Sequence, residues 1–448
     1  MPVNNESDPP ARVYRGLLVY PKLSLLILLL AFAVRIAAGC WWEQRLPEGV
    51  KFVFPDSEAY WELARAVADG RPFEMNPDRR VFRMPGYPAL LASVFWLAGD
   101  EPPVLAARGL GAILGVLAVG GVMSLASLLF DRQTALLAGA VAAIYPEAVA
   151  MSTFVLSEAP FCPLMMLHLC CWTLAWRDGM VGRQASWALA AGAAAGLATL
   201  MRPSWLLFVP FAVGFGLLRP ADWRRLAWIG LWSIVGLLGV MAPWWIRNWR
   251  ITERFVPTTL QVGESLYDGL SAQATGESDM RFVDDFRAEL RAQDAAQTPL
   301  ANQGGCFEAR LDRRMRDASI AWAVRHPGRV VQLAAVKFLR IWNVWPNEAS
   351  LRSWVFGTVL MVAYVPVLVL GLAGVWQTAR GGWPYLLCVL PAVYFTALHV
   401  VFVGSIRYRQ PALLVLIVPA AGLTIQWWRG RRVAGGSESD IAGKSRGF

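Results

Sequence analysis

The chain has 448 residues, of which 56% are hydrophobic and only 17% charged, and its formal net charge is +10. That balance excludes an ordinary soluble domain and fits a polytopic membrane protein. The positive charge does not call for nucleic acid, because arginines such as Arg132, Arg177, Arg183, Arg225 and Arg380 fall in short loops of one parity, the pattern of cytoplasmic loops.

In chain order, the first apolar run, about 23–42, reads as a span rather than a removable signal. Arg35 interrupts it and no small-residue cleavage site follows. An outer loop then covers 43–102, with FPDSEAYWELARAVADGRPF, helical over Ser57–Ala68, and DRRVFRMPGYP leading into an interfacial helix over Pro85–Ala98. Spans follow at about 103–130, 134–151, 158–176, 185–200, 203–219 and 225–246. A second outer loop, 247–350, is mostly helical. Within it, the stretch 329–345 is punctuated by Lys337 and Arg340 and reads as a surface amphipathic helix rather than an eleventh span. The last spans lie at about 353–377, 383–402 and 410–428. The expectation is an all-α polytopic membrane protein of about ten transmembrane helices over 23–430. Cytoplasmic tails are expected at 1–22 and 431–448, disordered over 1–22 and 435–448. Gly111/Gly115 and Gly192/Gly196 have the spacing of close helix contacts. Cys40 and Cys306 both fall outside, where a disulfide between them can form, and the three histidines have no metal-ligand spacing.

The chemistry concentrates at the outer ends of the spans. Asp56 follows Pro55 at a helix start, where it is either an N-cap or a functional carboxylate whose charge the helix terminus favours. Tyr60 lies one turn on, on the same face. Glu158, in FVLSEAPF, opens the fourth span; it too is either part of a cap with Ser157 or a functional acid, and Glu147 is a weaker neighbour. Arginines recur where the positive-inside rule would not put them: Arg83 in FRMPGYP, Arg202 in LMRPSW, Arg247 in PWWIRN, and Arg407 and Arg409 in GSIRYRQP. Guanidinium groups hold phosphate bidentately, so five of them facing two acids suit a phosphate at the lipid boundary. Tyr87 and Tyr408, inside two of these motifs, join Tyr60 as candidate substrate contacts.

The order D-S-x-x-Y-x-x-x-A, R-x-P-G-Y-P, the Ser-Glu pair of the fourth span, L-x-R-P, P-W-x-x-R-N and R-Y-R-x-P resembles the GT-C membrane glycosyltransferases. Within them it is similar to the glycosyltransferase family 39-like group of protein O-mannosyltransferases and the bacterial aminoarabinose transferase. The resemblance covers about residues 20–430. It implies that Asp56 is the essential first-loop carboxylate and Glu158 the acid at the outer end of the fourth span. Two departures stand out. Ser57 follows the aspartate where the mannosyltransferases have Glu, and Arg83-Met84-Pro85-Gly86 replaces the Lys-Pro-Pro of the aminoarabinose enzymes.

The expected activity is therefore transfer of a sugar from a polyprenyl-phosphate-linked donor to a lipid, glycan or protein acceptor on the outer face, inverting the anomeric centre. A phosphate leaves well, so no second acid is needed to protonate it, unlike in a glycosidase. Asp56 is the expected base, assisted by Glu158, with Arg83, Arg202, Arg247, Arg407 and Arg409 on the phosphate. The resemblance fixes no cofactor and leaves a divalent cation open, since some relatives use one and others do not; Asp56 and Glu158 would hold it. Trp244, Trp245, Trp342 and Trp345 are candidate groove walls, and Val256–Gly269 is a candidate mobile cover. The composition points to a bacterial plasma membrane. The rival reading is a transporter or flippase of a lipid-linked anion, against which stand few central charges and no internal repeat.

Overall fold

A computed structural model describes residues 21–218, 223–296, 306–345 and 353–444. Helix α1 (Pro21–Glu43) shows Leu25, Leu26 and Leu29 outward and packs Ala31, Arg35 and Gly39 inward. The segment 43–102 contains α2 (Pro55–Ala68) and α3 (Gly86–Ala98). Helix α2 buries Ser57, Tyr60, Trp61 and Ala64 on one side and leaves Glu58 and Glu62 exposed on the other. Its aromatics meet those of α3, with Tyr60 and Tyr87 rings 5.2 Å apart and Trp61 and Phe95 4.8 Å apart.

Helix α4 (Val104–Leu129) is followed by α5 (Arg132–Ile144) and α6 (Pro146–Thr153), which are bent by 53° at the intervening residue. The run 134–151 is thus two helices rather than one, because Pro146 has no N–H to continue the α5 ladder. Lipid cannot satisfy the carbonyls this frees. Arg35 of α1 does so, donating to Ala142 O at 3.3 Å, Ala143 O at 2.9 Å and Ser152 Oγ at 3.3 Å. The cation that interrupts the first span in sequence is the plug for the break in the third.

Helices α7 (Glu158–Arg177), α8 (Val181–Met201), α9 (Phe208–Leu217, after a short turn at Pro203–Trp205) and α10 (Trp223–Thr252) follow, with α8 packed against both α7 and α10. The glycine pairs serve close approach as expected. A Cβ on Gly192 would lie 1.9 Å from Ser233 O, and one on Gly111 would lie 2.1 Å from Ser152 O.

The second large segment between the apolar runs, 247–350, contains α11 (Val262–Gly269), α12 (Phe282–Ala296), α13 (Phe307–Arg325) and α14 (Pro327–Ile341). Val283, Leu290, Leu311 and Met315 give it a small core of its own. Helix α14 is not simply laid on a surface: Lys337 is buried and its Nζ donates to Gly269 O and Val401 O, each at 2.7 Å. The chain ends with α15 (Trp354–Thr378), α16 (Trp383–Leu386), α17 (Leu390–His399) and α18 (Gln410–Lys444). The run 383–402 is accordingly two short helices, and α18 continues helical to Lys444 where a disordered tail was expected from Gly435. The tail expected at 1–22 lies almost wholly outside the described residues.

Among the described residues six helical stretches are long and apolar enough to cross a membrane: α1, α4, α7, α10, α15 and Ile406–Arg431; the bent α5–α6 pair makes a seventh if it is one span. Three other expected spans, α8, α9 and α16–α17, are helical but fall short in length or apolarity. Among the described residues no strand forms, and one isolated bridge joins Asn76 to Arg79. The protein is an all-helical, multi-pass membrane protein. Cys40 and Cys306 are free thiols, so the disulfide open to them does not form.

Candidate active site

Asp56 is the second residue of α2, behind an N-cap at Phe54 that has no side-chain cap bond. Its carboxylate does not cap the helix. Oδ1 accepts from Arg83 Nη2 at 2.7 Å, and Oδ2 accepts from Arg407 Nη2 at 3.1 Å. Arg407 turns its Nε to Glu158 Oε1, and Arg202 Nη1 lies 2.7 Å from that same oxygen. The result is an alternating chain, Arg83–Asp56–Arg407–Glu158–Arg202. It joins the start of α2, the run before α3, the turn before α18, the start of α7 and the end of α8. Glu158 is fully buried, and Ser157 before it makes no cap bond. Both capping readings therefore give way to ion pairing. Burial pushes the Asp56 carboxyl up, but the guanidiniums of Arg83 and Arg407 outweigh it and hold it at about 2.

Local structure explains how the acids are aimed. Ser57 Oγ donates to Phe154 O at 2.8 Å, tying α2 to the end of α6. Val155 then takes φ 55, a left-handed conformation unfavourable for a β-branched side chain, on the turn that delivers Glu158. The donor set does not fit a divalent cation. Both Asp56 oxygens and Glu158 Oε1 already carry guanidinium, Arg407 lies between the two acids, and no group of three His, Cys, Asp or Glu side chains gathers among the described residues.

The three tyrosines lie around this chain. Tyr60 is buried with its ring 5.5 Å from the Arg83 guanidinium, and Tyr87 is buried behind it. Tyr408 stacks on His399 at 3.9 Å, with Arg202 5.4 Å from its ring. Two of the five arginines lie elsewhere. Arg247 donates to Phe73 O at 2.6 Å and Arg80 O at 3.0 Å, bracing the first loop. Arg409 is buried, with Nη2 2.6 Å from Glu147 Oε1, Nη1 on the carbonyls of Ile341 and Asn343, and its guanidinium 3.6 Å from the Tyr364 ring centroid.

The four tryptophans do not form one groove. Trp244 and Trp245 donate to Thr258 O and Pro257 O at 2.7 and 2.8 Å, while Trp342 bonds Thr396 Oγ1 and Trp345 packs on Gly357. The segment Val256–Gly269 is bound on both sides rather than loose over the site. Leu260 N donates to Val81 O at 2.9 Å, Gly263 N to Asp312 Oδ1 at 2.6 Å, and Glu264 pairs with Arg79 at 3.0 Å. A cleft of 470 Å³ opens beside Arg407 and Tyr408, walled by Phe54, Met151, Phe154 and Arg340. Arg340 also meets Glu277 at 2.8 Å at the rim.

Residues 83–246, a little over a third of the chain, match the family described as dolichyl-phosphate-mannose-protein mannosyltransferase. The chain is similar to the GT-C glycosyltransferases. Its fold matches the oligosaccharyltransferase of Archaeoglobus fulgidus in its apo form, at 15% identity and a TM-score of 0.58, over 95% of this chain and 53% of that one. The same archaeal enzyme, AglB, in complex with an inhibitory peptide and a dolichol-phosphate, matches at 16% identity and TM-score 0.58, over 93% and 52%. The chain thus spans about half the length of these solved relatives. ArnT from Cupriavidus metallidurans bound to undecaprenyl phosphate aligns over 89% and 77% at 18% identity, but its TM-score of 0.42 is too low to argue from. No curated protein matches the chain significantly.

Within this GT-C-like chain the motifs acquire local reasons. In R-x-P-G-Y-P, Gly86 sits so close to the end of α8 that a Cβ would lie 2.7 Å from Leu200 O. In R-Y-R-x-P the two arginines part company, one to the acids of the site and the other to Glu147. The polar helices of the second outer segment hide further contributors. Glu308 accepts from Arg80 N at 2.8 Å and Val81 N at 3.0 Å, and Gln261 Oε1 accepts from Arg83 Nη1 at 3.2 Å. Glu308 lies in no motif, and Gln261 falls inside the stretch read only as a cover.

Proposed function

We propose that the chain is an integral-membrane glycosyltransferase. It moves a sugar from a polyprenyl-phosphate-linked donor to a lipid, glycan or protein acceptor on the outer face of a bacterial inner membrane. The observation that carries this reading is Arg407 bridging Asp56 and Glu158, with Arg83 and Arg202 on the outer sides of the two acids. Three cations and two anions at the end of several spans provide for both halves of the reaction, a departing phosphate and a proton to be taken from the acceptor. We place ten crossings over 23–430, both termini in the cytoplasm, and the segments 43–102 and 247–350 outside.

The resting ion pairs explain how a carboxylate held at about 2 can serve as a base. An incoming donor phosphate competes for Arg83 and Arg407, and as they turn to it the Asp56 carboxylate becomes more basic. The acceptor O–H or N–H then attacks the anomeric carbon from the face opposite the phosphate. The C1–O bond breaks with its electron pair going to the phosphate, the proton passes to Asp56, and the anomeric centre inverts. Glu158 keeps Arg202 and Arg407 aligned as the phosphate gains charge.

The test is purified protein in lipid with a panel of labelled polyprenyl-phosphate sugars and candidate acceptors. Acceptor-dependent release of polyprenyl phosphate is expected. Passage of intact donor across proteoliposomes, without release, would overturn the reading in favour of transport.

A further inference from the structure

Glu147 was only a weak candidate in sequence, and the ion-pair chain of the site does not include it. Pro146 breaks the third span, and the 53° bend between α5 and α6 places Glu147 in the first turn of α6, on the wall of the 470 Å³ cleft that Arg407 and Tyr408 also line. Its side chain is 6% exposed. Oε1 takes Arg409 Nη2 at 2.6 Å, whereas Oε2 is buried with no hydrogen-bond partner. A buried carboxylate oxygen left unpaired is costly and needs a reason.

Serving as counter-ion to Arg409 does not supply that reason. The pairing uses one oxygen, and Arg409 is also held by two carbonyls and the Tyr364 ring. The remaining oxygen is an unpaired acceptor on a side chain that lines the 470 Å³ cleft, a volume within the range of about 300–1,000 Å³ of small-molecule sites. The charged side chains sharing the cleft divide into two sets. Arg340 and Arg407 are cations suited to a phosphate; Glu277 is solvent-exposed at the rim and paired with Arg340, which leaves Glu147 as the buried carboxylate with an unpaired oxygen. A glycosyl phosphate has this polarity, anionic at one end and rich in hydroxyl donors at the other.

We propose that Glu147 is a sugar-binding residue whose Oε2 accepts a hydrogen bond from a hydroxyl of the transferred glycosyl group, making it a determinant of donor specificity. The proposal rests on the transferase reading above. A site built to bond a hydroxyl rejects the analogue lacking it far more strongly than an apolar wall would.

The experiment uses short-chain prenyl phosphate mannose and its monodeoxy analogues as probes, with wild type, Glu147→Gln and Glu147→Asp. In wild type, one deoxy donor should lose about 10- to 100-fold in kcat/KM relative to the parent, the scale of a charge-assisted hydrogen bond. Glu147→Gln should compress that ratio to within about threefold, chiefly by slowing the parent donor. Glu147→Asp keeps the charge for Arg409 but withdraws the oxygen by one methylene, and should lose the same discrimination with the fold intact. Both variants lowering every donor by one common factor would overturn the proposal and leave Glu147 as the partner of Arg409 alone. Should Glu147→Gln fail to fold, the aspartate variant decides. Should wild type bind none of these donors, a mannosyl contact at Glu147 is overturned, and the donor panel of the preceding test decides the transferase reading separately.

Discussion

At the residue scale, function depends on where each guanidinium points. Arg407 and Arg409 are two positions apart in the short 3-10 turn Ile406–Arg409, and at about 120° per residue they leave it in different directions. Arg407→Lys should lower kcat/KM about 100-fold with little change in thermal stability, since a point charge cannot bridge Asp56 and Glu158 as a planar fork does. Arg409→Lys should do the opposite, lowering the melting temperature while sparing turnover in the protein that remains folded. Steady-state kinetics and thermal unfolding of the two variants make the comparison. In the sequence both acids and all five arginines stood out as one set at the ends of spans, because cations there run against the expected positive-inside bias. It could not sort Arg247 and Arg409 from the others. Their partners are the carbonyls of Phe73 and Arg80 and the carboxylate of Glu147, none of them near in sequence.

At the element scale, the ribbon Arg79–Arg83 sets the position of the site's first arginine, and it is gripped from the second outer segment. Glu308 is the main grip, through the amides of Arg80 and Val81. Burial raises its carboxyl to about 7, with the two amide bonds and Arg79 pulling down and Glu264 pushing up. The folded chain therefore holds that proton more tightly than the unfolded chain between pH 4.5 and 7, so the stability it contributes is present below that window and is lost as pH rises through it. Thermal unfolding of wild type should fall by a few degrees from pH 5 to 7.5, and Glu308→Gln should remove most of that slope. An unchanged slope would assign the dependence to another group. Gly86 tests the other side of the ribbon. With no room for a Cβ against Leu200 O, Gly86→Ala should displace α3 from α8, cost about 1–3 kcal/mol of stability and reduce turnover about tenfold, as read by unfolding and kinetics. Helix pairs and their glycine contacts were readable from spacing. The strap 256–269 was not, since its glycines suggested mobility while its anchors, Asp312, Arg79 and the tryptophans of α10, lie far off in sequence.

At the scale of the whole molecule, hydropathy located the helices but not their breaks. The third and ninth runs look continuous in composition, and only the structure shows that Arg35 of the first span fills the gap in the third. Among the described residues six or seven segments qualify as crossings by length and apolarity, whereas ten are proposed. Accessibility labelling tests the sidedness of the proposed topology. In a background without Cys40 and Cys306, a cysteine at Gln273 should react from the outside and one at Met180 only from the cytoplasm, both positions being exposed. Reaction of both from one side would require a different topology.

The central claim is that Asp56 takes the acceptor's proton in a sugar transfer. Release of polyprenyl phosphate by wild type and by Asp56→Asn, both in lipid and both checked for donor binding, tests it most directly. Turnover should drop more than about 100-fold in the variant while donor still binds, the scale of losing a positioned base. Equal turnover in the two proteins would contradict the account and leave Asp56 as no more than the ion-pair partner of Arg83 and Arg407.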